Sequence, residues 1–99
     1  MTTKRLIPFL EKELGPVNFA MYMRVSRNTL ELTQTEMAKK LKISKSSLCD
    51  IEKSRQTPSL ALAIKIVKMA RLSEKMAVRY WLQDQVERAK LKFKVDIAA

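Results

Sequence analysis

The side chains best suited to chemistry in this sequence are the polar ones that follow Ser44. If Ser44 begins a helix, then Lys45, Ser46 and Asp50 share one exposed face, with Ser47 at its edge. A DNA major groove about 12 Å wide admits one helix, and a lysine at the helix start reaches the O6 and N7 acceptors of guanine. Serine donates or accepts a hydrogen bond, whereas the Asp50 carboxylate accepts one from the cytosine amino group or pairs with a neighbouring lysine. This face therefore predicts contact with base edges.

Two short helices joined by a tight turn are predicted to hold this face outward. A capping box of Thr33 and Glu36 begins a helix over 34–41, and Ser44 caps a helix over 45–53. Small Ala38 is expected where the two helices approach closely. The apolar positions expected to pack between them are Met37, Leu41, Ile43, Leu48 and Ile51. This spacing is typical of a helix-turn-helix, which leaves one side of its second helix exposed.

Further helices are predicted on both sides of this pair. Their capping residues are Asn18 before 19–29, Ser59 before 60–71 and Ser73 before the last helix. Ahead of them, Pro8 and the stop signal Gly15-Pro16 bound a short helix over 8–14. The sequence thus predicts an N-terminal helical extension (1–17), a helix-turn-helix domain (18–72) and a dimerisation helix with a C-terminal strand (73–99).

The C-terminal tail has the alternation of a β-strand. Leu91, Phe93, Val95 and Ile97 are apolar, and charged residues stand between them. No other segment of the sequence has a strand pattern, and an isolated strand leaves its backbone groups without partners. We therefore expect two copies of this strand to pair antiparallel across a two-fold axis.

The charge of the chain favours a polyanionic partner. Lys and Arg number 20 against 10 Asp and Glu, which gives a net charge of +10. Residues 18–72 hold eleven Lys and Arg against four Asp and Glu, so +7 of the excess lies in the predicted helix-turn-helix domain. An excess of this size suits nucleic acid, an anionic membrane surface or an acidic protein.

The residue types that the chain lacks exclude several classes of protein. Having no histidine and one cysteine, it cannot form an internal disulfide, a Cys/His zinc site or a histidine-based catalytic triad. It also has no glycine-rich phosphate loop, no apolar run that spans a membrane and no signal-peptide pattern. We therefore expect no enzyme activity, no cofactor, no metal and no membrane partner, in a cytoplasmic, nucleoid-associated protein. Cys49 is expected to be an inert surface thiol, with redox sensing as the alternative.

A series of ordered positions runs from Leu32 to Ser59. It consists of Leu32-Thr33-Gln34-Thr35-Glu36-Met37-Ala38, Leu41-Lys42-Ile43-Ser44, Leu48, Ile51-Glu52 and Pro58-Ser59. With these small gaps the chain resembles the Cro/cI-type (Xre) helix-turn-helix family of phage and bacterial repressors, over roughly 23–72. The resemblance implies an all-α, lambda-repressor-like bundle of five helices. To this the residues of the chain add the N-terminal helix and the short C-terminal strand.

The resemblance also implies roles for single residues. Those expected at base edges are Lys45, Ser46 and Asp50. Those expected at the DNA backbone are Gln34, Ser44, Ser47, Lys53 and Arg55. Arg27 and Glu52 are implied to form an ion pair that ties the first core helix to the end of the helix that reads DNA. Two positions that often hold glycine are Lys42 and Ser54 here, where a left-handed backbone would cost about 1–2 kcal/mol.

These features together predict a homodimeric transcriptional repressor that binds a pseudo-palindromic operator in double-stranded DNA. Two copies double the contacts, with half-site centres about 34 Å apart. The expected dimer contacts are Trp81, Leu82, Val86, Phe93, Val95 and Ile97. For Tyr80 and Trp81, the core of the helix bundle and a ligand pocket are the alternatives.

Two other functions stay open at this point. Small members of the family are often antitoxins that repress their own operon and neutralise a toxin protein, and the added terminal elements suit such a role. The second alternative is a module that bridges proteins without specific DNA reading. A co-purifying toxin would favour the first, and equal affinity for specific and random DNA at one salt concentration would favour the second.

Overall fold

In the computed structural model, which describes residues 17–97, the chain forms five α-helices joined by short turns. They are α1 (Phe19–Thr29), α2 (Gln34–Leu41), α3 (Lys45–Glu52), α4 (Leu60–Met69) and α5 (Glu74–Arg88). The predicted all-α fold of five helices is confirmed, and the helix boundaries agree to within two residues. The predicted helix over 8–14 lies outside the described residues, as does the extension 1–17 apart from Val17.

Each helix begins where a polar side chain accepts a hydrogen bond from the first turn. The capping residues are Asn18, Thr33, Ser44, Ser59 and Ser73. At α2 the box is reciprocal, because Glu36 N donates to Thr33 Oγ1 (3.1 Å) and Thr33 N donates to Glu36 Oε1 (3.0 Å). The hydrogen bond from the Thr33 backbone holds the pKa of Glu36 below its ordinary value of 4.5. These contacts span three residues, and they explain why the helix starts follow from the sequence.

One or two positions after the end of each helix stands a residue that has a left-handed backbone and is not glycine. These residues are Glu31, Lys42, Ser54, Arg71 and Lys90, with φ between 56° and 61°. In each case the next residue donates its N–H to a carbonyl five positions back, as Ile43 N does to Ala38 O (3.0 Å) and Leu72 N to Val67 O (2.9 Å). This is the Schellman arrangement that usually takes glycine. The backbone is therefore left-handed at Lys42 and Ser54, and both positions carry the conformational strain expected of a non-glycine residue there.

The core lies where α1, α4 and α5 meet the pair α2 and α3. Tyr22 of α1 packs on Tyr80 of α5 with ring centroids 5.3 Å apart, and the Tyr22 hydroxyl donates to Ser73 O (3.0 Å). Ala77 of α5 is fully buried in the same core. Helix α5, whose role in dimerisation stays a prediction, is thus part of the core of the single chain.

The tail after α5 does not form the predicted strand within the single chain. Residues 91–97 are irregular, because residues 17–97 contain no second strand with which they could pair. Instead the tail returns to α5, where Gln83 Nε2 donates to Phe93 O (3.1 Å) and Val95 N donates to Gln83 Oε1 (2.6 Å). The Gln83 side-chain amide thus supplies two of the backbone hydrogen bonds that a neighbouring strand would otherwise supply.

Candidate nucleic-acid interface

Helix α3 turns its apolar side inward and its polar side to solvent. Leu48 and Ile51 are each 1% exposed, in contact with the core. On the opposite side Lys45 and Ser46 are exposed, in the first turn after the capping residue Ser44. The Ser44 hydroxyl accepts from Ser47 N (3.0 Å) and so fixes the direction of this turn. This polar side, here called the α3 surface, is therefore exposed to solvent.

Asp50, on the same exposed side, is paired with an arginine and not with a lysine. Its carboxylate lies 3.8 Å from Arg55 Nη1, and both side chains are partly exposed. Its backbone carbonyl accepts from Arg55 N (2.8 Å) and Gln56 N (3.2 Å). Because a cation faces the carboxylate, the negative charge of Asp50 is partly offset at this surface.

Arg27 and Glu52 meet in a bidentate ion pair beneath the helix-turn-helix. Arg27 Nε donates to Glu52 Oε2 (2.8 Å) and Nη2 donates to Oε1 (3.0 Å), while Nη1 reaches Leu32 O (2.9 Å). The Glu52 side chain is only 3% exposed. Gln34 Nε2 adds a third donor to this carboxylate at 3.3 Å. The pair therefore joins α1, α2 and α3 at one carboxylate, and the Gln34 amide is already engaged there.

The loop after α3 carries two exposed cations and is held by α5. Lys53 and Arg55 are exposed on either side of Ser54. Three contacts from α5 reach this loop: Arg88 Nη2 to Ser54 O (2.9 Å), Thr57 Oγ1 to Asp84 Oδ2 (3.0 Å) and Trp81 Nε1 to Pro58 O (2.9 Å). These contacts were not predicted from the sequence, although Trp81, Asp84 and Arg88 are spaced by three and four residues, as on one helical face.

Comparison with known proteins identifies the family. A family model described as helix-turn-helix matches residues 23–75, more than half of the chain. The chain belongs to the Cro/cI-type helix-turn-helix family. It is 45% identical over 51 residues to a protein of Methanocaldococcus jannaschii that is named an uncharacterized HTH-type transcriptional regulator, covering 52% of this chain and 73% of that protein. A comparison with solved structures found no significant match.

The residues predicted at a dimer interface lie on α5 and the tail of this helix-turn-helix protein. Leu82 and Phe93 are exposed, Phe93 to 69%, whereas Val86, Val95 and Ile97 are half-buried. Trp81 differs from them, because its indole N–H bonds to Pro58 O of the same chain and its ring packs on the core. Tyr80 is buried in the helix bundle and also lines a cavity beside Phe19 and Val95, so the ligand-pocket alternative stays a prediction.

Two further observations concern the described part of this helix-turn-helix protein. None of the helices in residues 17–97 has the length and apolar character that a membrane crossing requires. The same residues contain no group of three or more His, Cys, Asp or Glu side chains that could hold a metal ion. Cys49 is a free, half-buried thiol on α3.

Proposed function

We propose that this protein is a sequence-specific transcriptional repressor that binds a pseudo-palindromic operator in double-stranded DNA as a homodimer. The observation that carries the proposal is the outward polar side of α3, flanked by the cations Lys53 and Arg55 and backed by buried Leu48 and Ile51. Membership of the Cro/cI-type family supports double-stranded DNA as the partner. The name of the Methanocaldococcus relative supports regulation of transcription.

In this proposal α3 lies in the major groove and its first turn reads bases. Lys45, exposed at the helix start, donates to guanine O6 and N7, and Ser46 contacts a neighbouring edge. Asp50 accepts from a cytosine amino group once Arg55 turns to a phosphate, because their contact of 3.8 Å is loose and exposed.

The DNA backbone is contacted from both ends of the motif. The N–H groups in the first turns of α2 and α3 favour a phosphate. The residues proposed here are Gln34, Ser44 and Ser47 at the helix starts and Lys53 and Arg55 after α3. The Gln34 amide, bonded to Glu52 at 3.3 Å, would contribute mainly through its position at the start of α2.

The homodimer is proposed to form through the C-terminal tail and the adjoining surface of α5. Gln83 bonds Phe93 O and Val95 N, two groups that share one edge when a chain is extended as a strand. The Lys94 N–H and C=O then point to the opposite edge, where a second copy can pair. Exposed Phe93 gives this pairing an apolar side. A two-stranded ribbon across the two-fold axis would supply the strand that the single chain does not form.

The backbone edge that Gln83 leaves free allows a register centred on Lys94. If two antiparallel tails are centred on Lys94, Phe93 stands opposite Val95 of the second copy, an aromatic and β-branched pair. Lys92 then stands opposite Asp96 of the second copy, so opposite charges meet on the other side. The cost of this register is a Lys94 pair at the centre, which long lysine side chains relieve by extending into solvent.

The test is selection of bound duplexes from a random pool, followed by titration of Lys45→Ala. We expect the selected sites to be inverted repeats with half-site centres about one helical turn apart. Lys45→Ala should lose discrimination at one or two base positions by about 1–3 kcal/mol. Lys75→Ala, which removes an exposed cation from the first turn of α5, serves as the control and should keep the base preference.

Three results would contradict the proposal in separate ways. Equal affinity for every duplex would favour the protein-bridging alternative. Selected sites without two-fold symmetry would overturn the homodimer on a palindrome. An unchanged base preference in Lys45→Ala would remove the α3 surface as the reading element.

A further inference from the structure

We infer that Asp84 and Arg88 of α5 are positioning residues for DNA binding, which hold the loop 53–58 so that Lys53 and Arg55 face the phosphates. The inference rests on the proposed DNA-binding function and extends it to residues outside the helix-turn-helix. Neither residue needs to touch DNA, because each acts through the loop that it holds.

The geometry places Asp84 at the centre of a small network between α5 and the loop. Its Oδ2 accepts from Arg88 Nε (2.7 Å) and from Thr57 Oγ1 (3.0 Å). Arg88 uses its second nitrogen, Nη2, to donate to Ser54 O (2.9 Å). One guanidinium thus bridges the α5 carboxylate and the loop carbonyl, and only the planar fork of arginine offers both donors in this arrangement.

The loop needs such support because its own backbone is strained at the point where it is held. Ser54 has φ 61°, a left-handed conformation that costs a non-glycine residue energy. Ser54 also stands between Lys53 and Arg55, so its conformation sets where both cations point. A donor on Ser54 O therefore stabilises the conformation that fixes the two cations.

A purely structural role for the pair makes a different prediction. Asp84 and Arg88 are partly exposed, at 17% and 38% of their side chains, so their ion pair contributes modestly to folding. If they only stabilised the bundle, their replacement would lower the melting temperature and would weaken DNA binding regardless of the loop cations. If they position the loop, their effect on DNA binding depends on Lys53 and Arg55.

The test is a double-mutant cycle on the full chain with titrations against a selected and a random duplex. Arg88→Lys keeps the net charge but loses the fork, and Thr57→Val removes one loop contact without changing charge. Each is measured alone and in a loop-neutral background, defined as Lys53→Gln with Arg55→Gln. Lys75→Gln, which removes an exposed cation elsewhere on α5, controls for net charge.

We expect Arg88→Lys and Thr57→Val to weaken binding of both duplexes by roughly 3- to 30-fold, which lies within the range of coupling between residues joined in one hydrogen-bond network. The salt dependence should fall by about one phosphate contact in Arg88→Lys. In the loop-neutral background the same substitutions should have no further effect. Amide exchange at Arg55 and Gln56 should also become faster in Arg88→Lys, because the loop opens more easily.

Equal losses with and without the loop cations, an unchanged salt dependence or unchanged amide exchange would overturn the inference. Failure of the proposed function is recognised separately. Wild-type protein that holds selected and random duplexes equally would refute sequence-specific reading, yet the cycle on the random duplex would still measure the loop contacts. Wild-type protein that binds no duplex would overturn both.

Discussion

Replacing Arg27 with methionine should be among the most damaging single changes in the described part of the chain. The substitution removes two charge-assisted hydrogen bonds, of 2.8 and 3.0 Å, from a carboxylate whose side chain is 3% exposed. Breaking a buried pair from one side typically costs 3–5 kcal/mol, because the remaining charge is left without compensation. Gln34 still donates to Glu52 at 3.3 Å, so we expect the lower end, about 3 kcal/mol.

Urea unfolding followed by circular dichroism measures this free energy directly. A loss of about 3 kcal/mol corresponds to a melting temperature lower by roughly 12–24 °C in a domain of this size. Arg24→Met is the matched control, because Arg24 lies on the same helix and is exposed. It should change stability by no more than about 0.5 kcal/mol.

The double variant Arg27→Met with Glu52→Met separates loss of the pair from burial of an unpaired charge. Replacing both partners of a buried ion pair with apolar residues is often neutral, so the double variant should be more stable than Arg27→Met alone. The reasoning is refuted if Arg27→Met costs no more than Arg24→Met. It is also refuted if the double variant is no more stable than Arg27→Met.

Two further predictions concern the helix ends. Lys42→Gly should raise the free energy of unfolding by about 0.5–1 kcal/mol, because glycine removes a strain of about 1–2 kcal/mol at φ 59° but gives the unfolded chain more entropy. Lys42→Ala keeps the strained backbone. If it raised the free energy of unfolding as much as Lys42→Gly, relief of backbone strain would not be the cause. The pKa of Glu36 is lowered by the Thr33 backbone, so the stability it contributes is present above about pH 4.5 and is lost as pH falls through its folded pKa. Glu36→Gln should therefore have a lower free energy of unfolding than wild type at pH 7. Urea titrations at decreasing pH should show this difference becoming smaller, and a difference that grows as pH falls would contradict the prediction.

The helix starts could be predicted from the sequence because the interactions that set them are local. Thr33 and Glu36 are three residues apart, and so are Ser44 and the N–H that it caps. The apolar spacing around Leu48 and Ile51 likewise assigns the buried side of α3, and hence its exposed side, without knowledge of the rest of the fold.

The resemblance added the pairing of Arg27 with Glu52, which no local pattern predicts because 25 positions separate them. The alternation after α5 predicted a strand that the single chain does not form, because this feature too depends on a partner distant in the sequence. Side-chain periodicity reports that Leu91 to Ile97 has one apolar side, whereas a strand exists only when another backbone supplies its hydrogen bonds. In the single chain, Gln83 supplies two of them.

Residue types and spacing were therefore sufficient for the five helices, their caps and the polar side of α3, since each depends on neighbours within one or two turns. Only the tertiary structure decided that Arg55 faces Asp50 and that α5 holds the loop beside them. Trp81, Asp84 and Arg88 meet residues 23 to 34 positions away. Contacts at that distance depend on the angle at which α5 crosses the bundle, and that angle is set by the packing of the whole core.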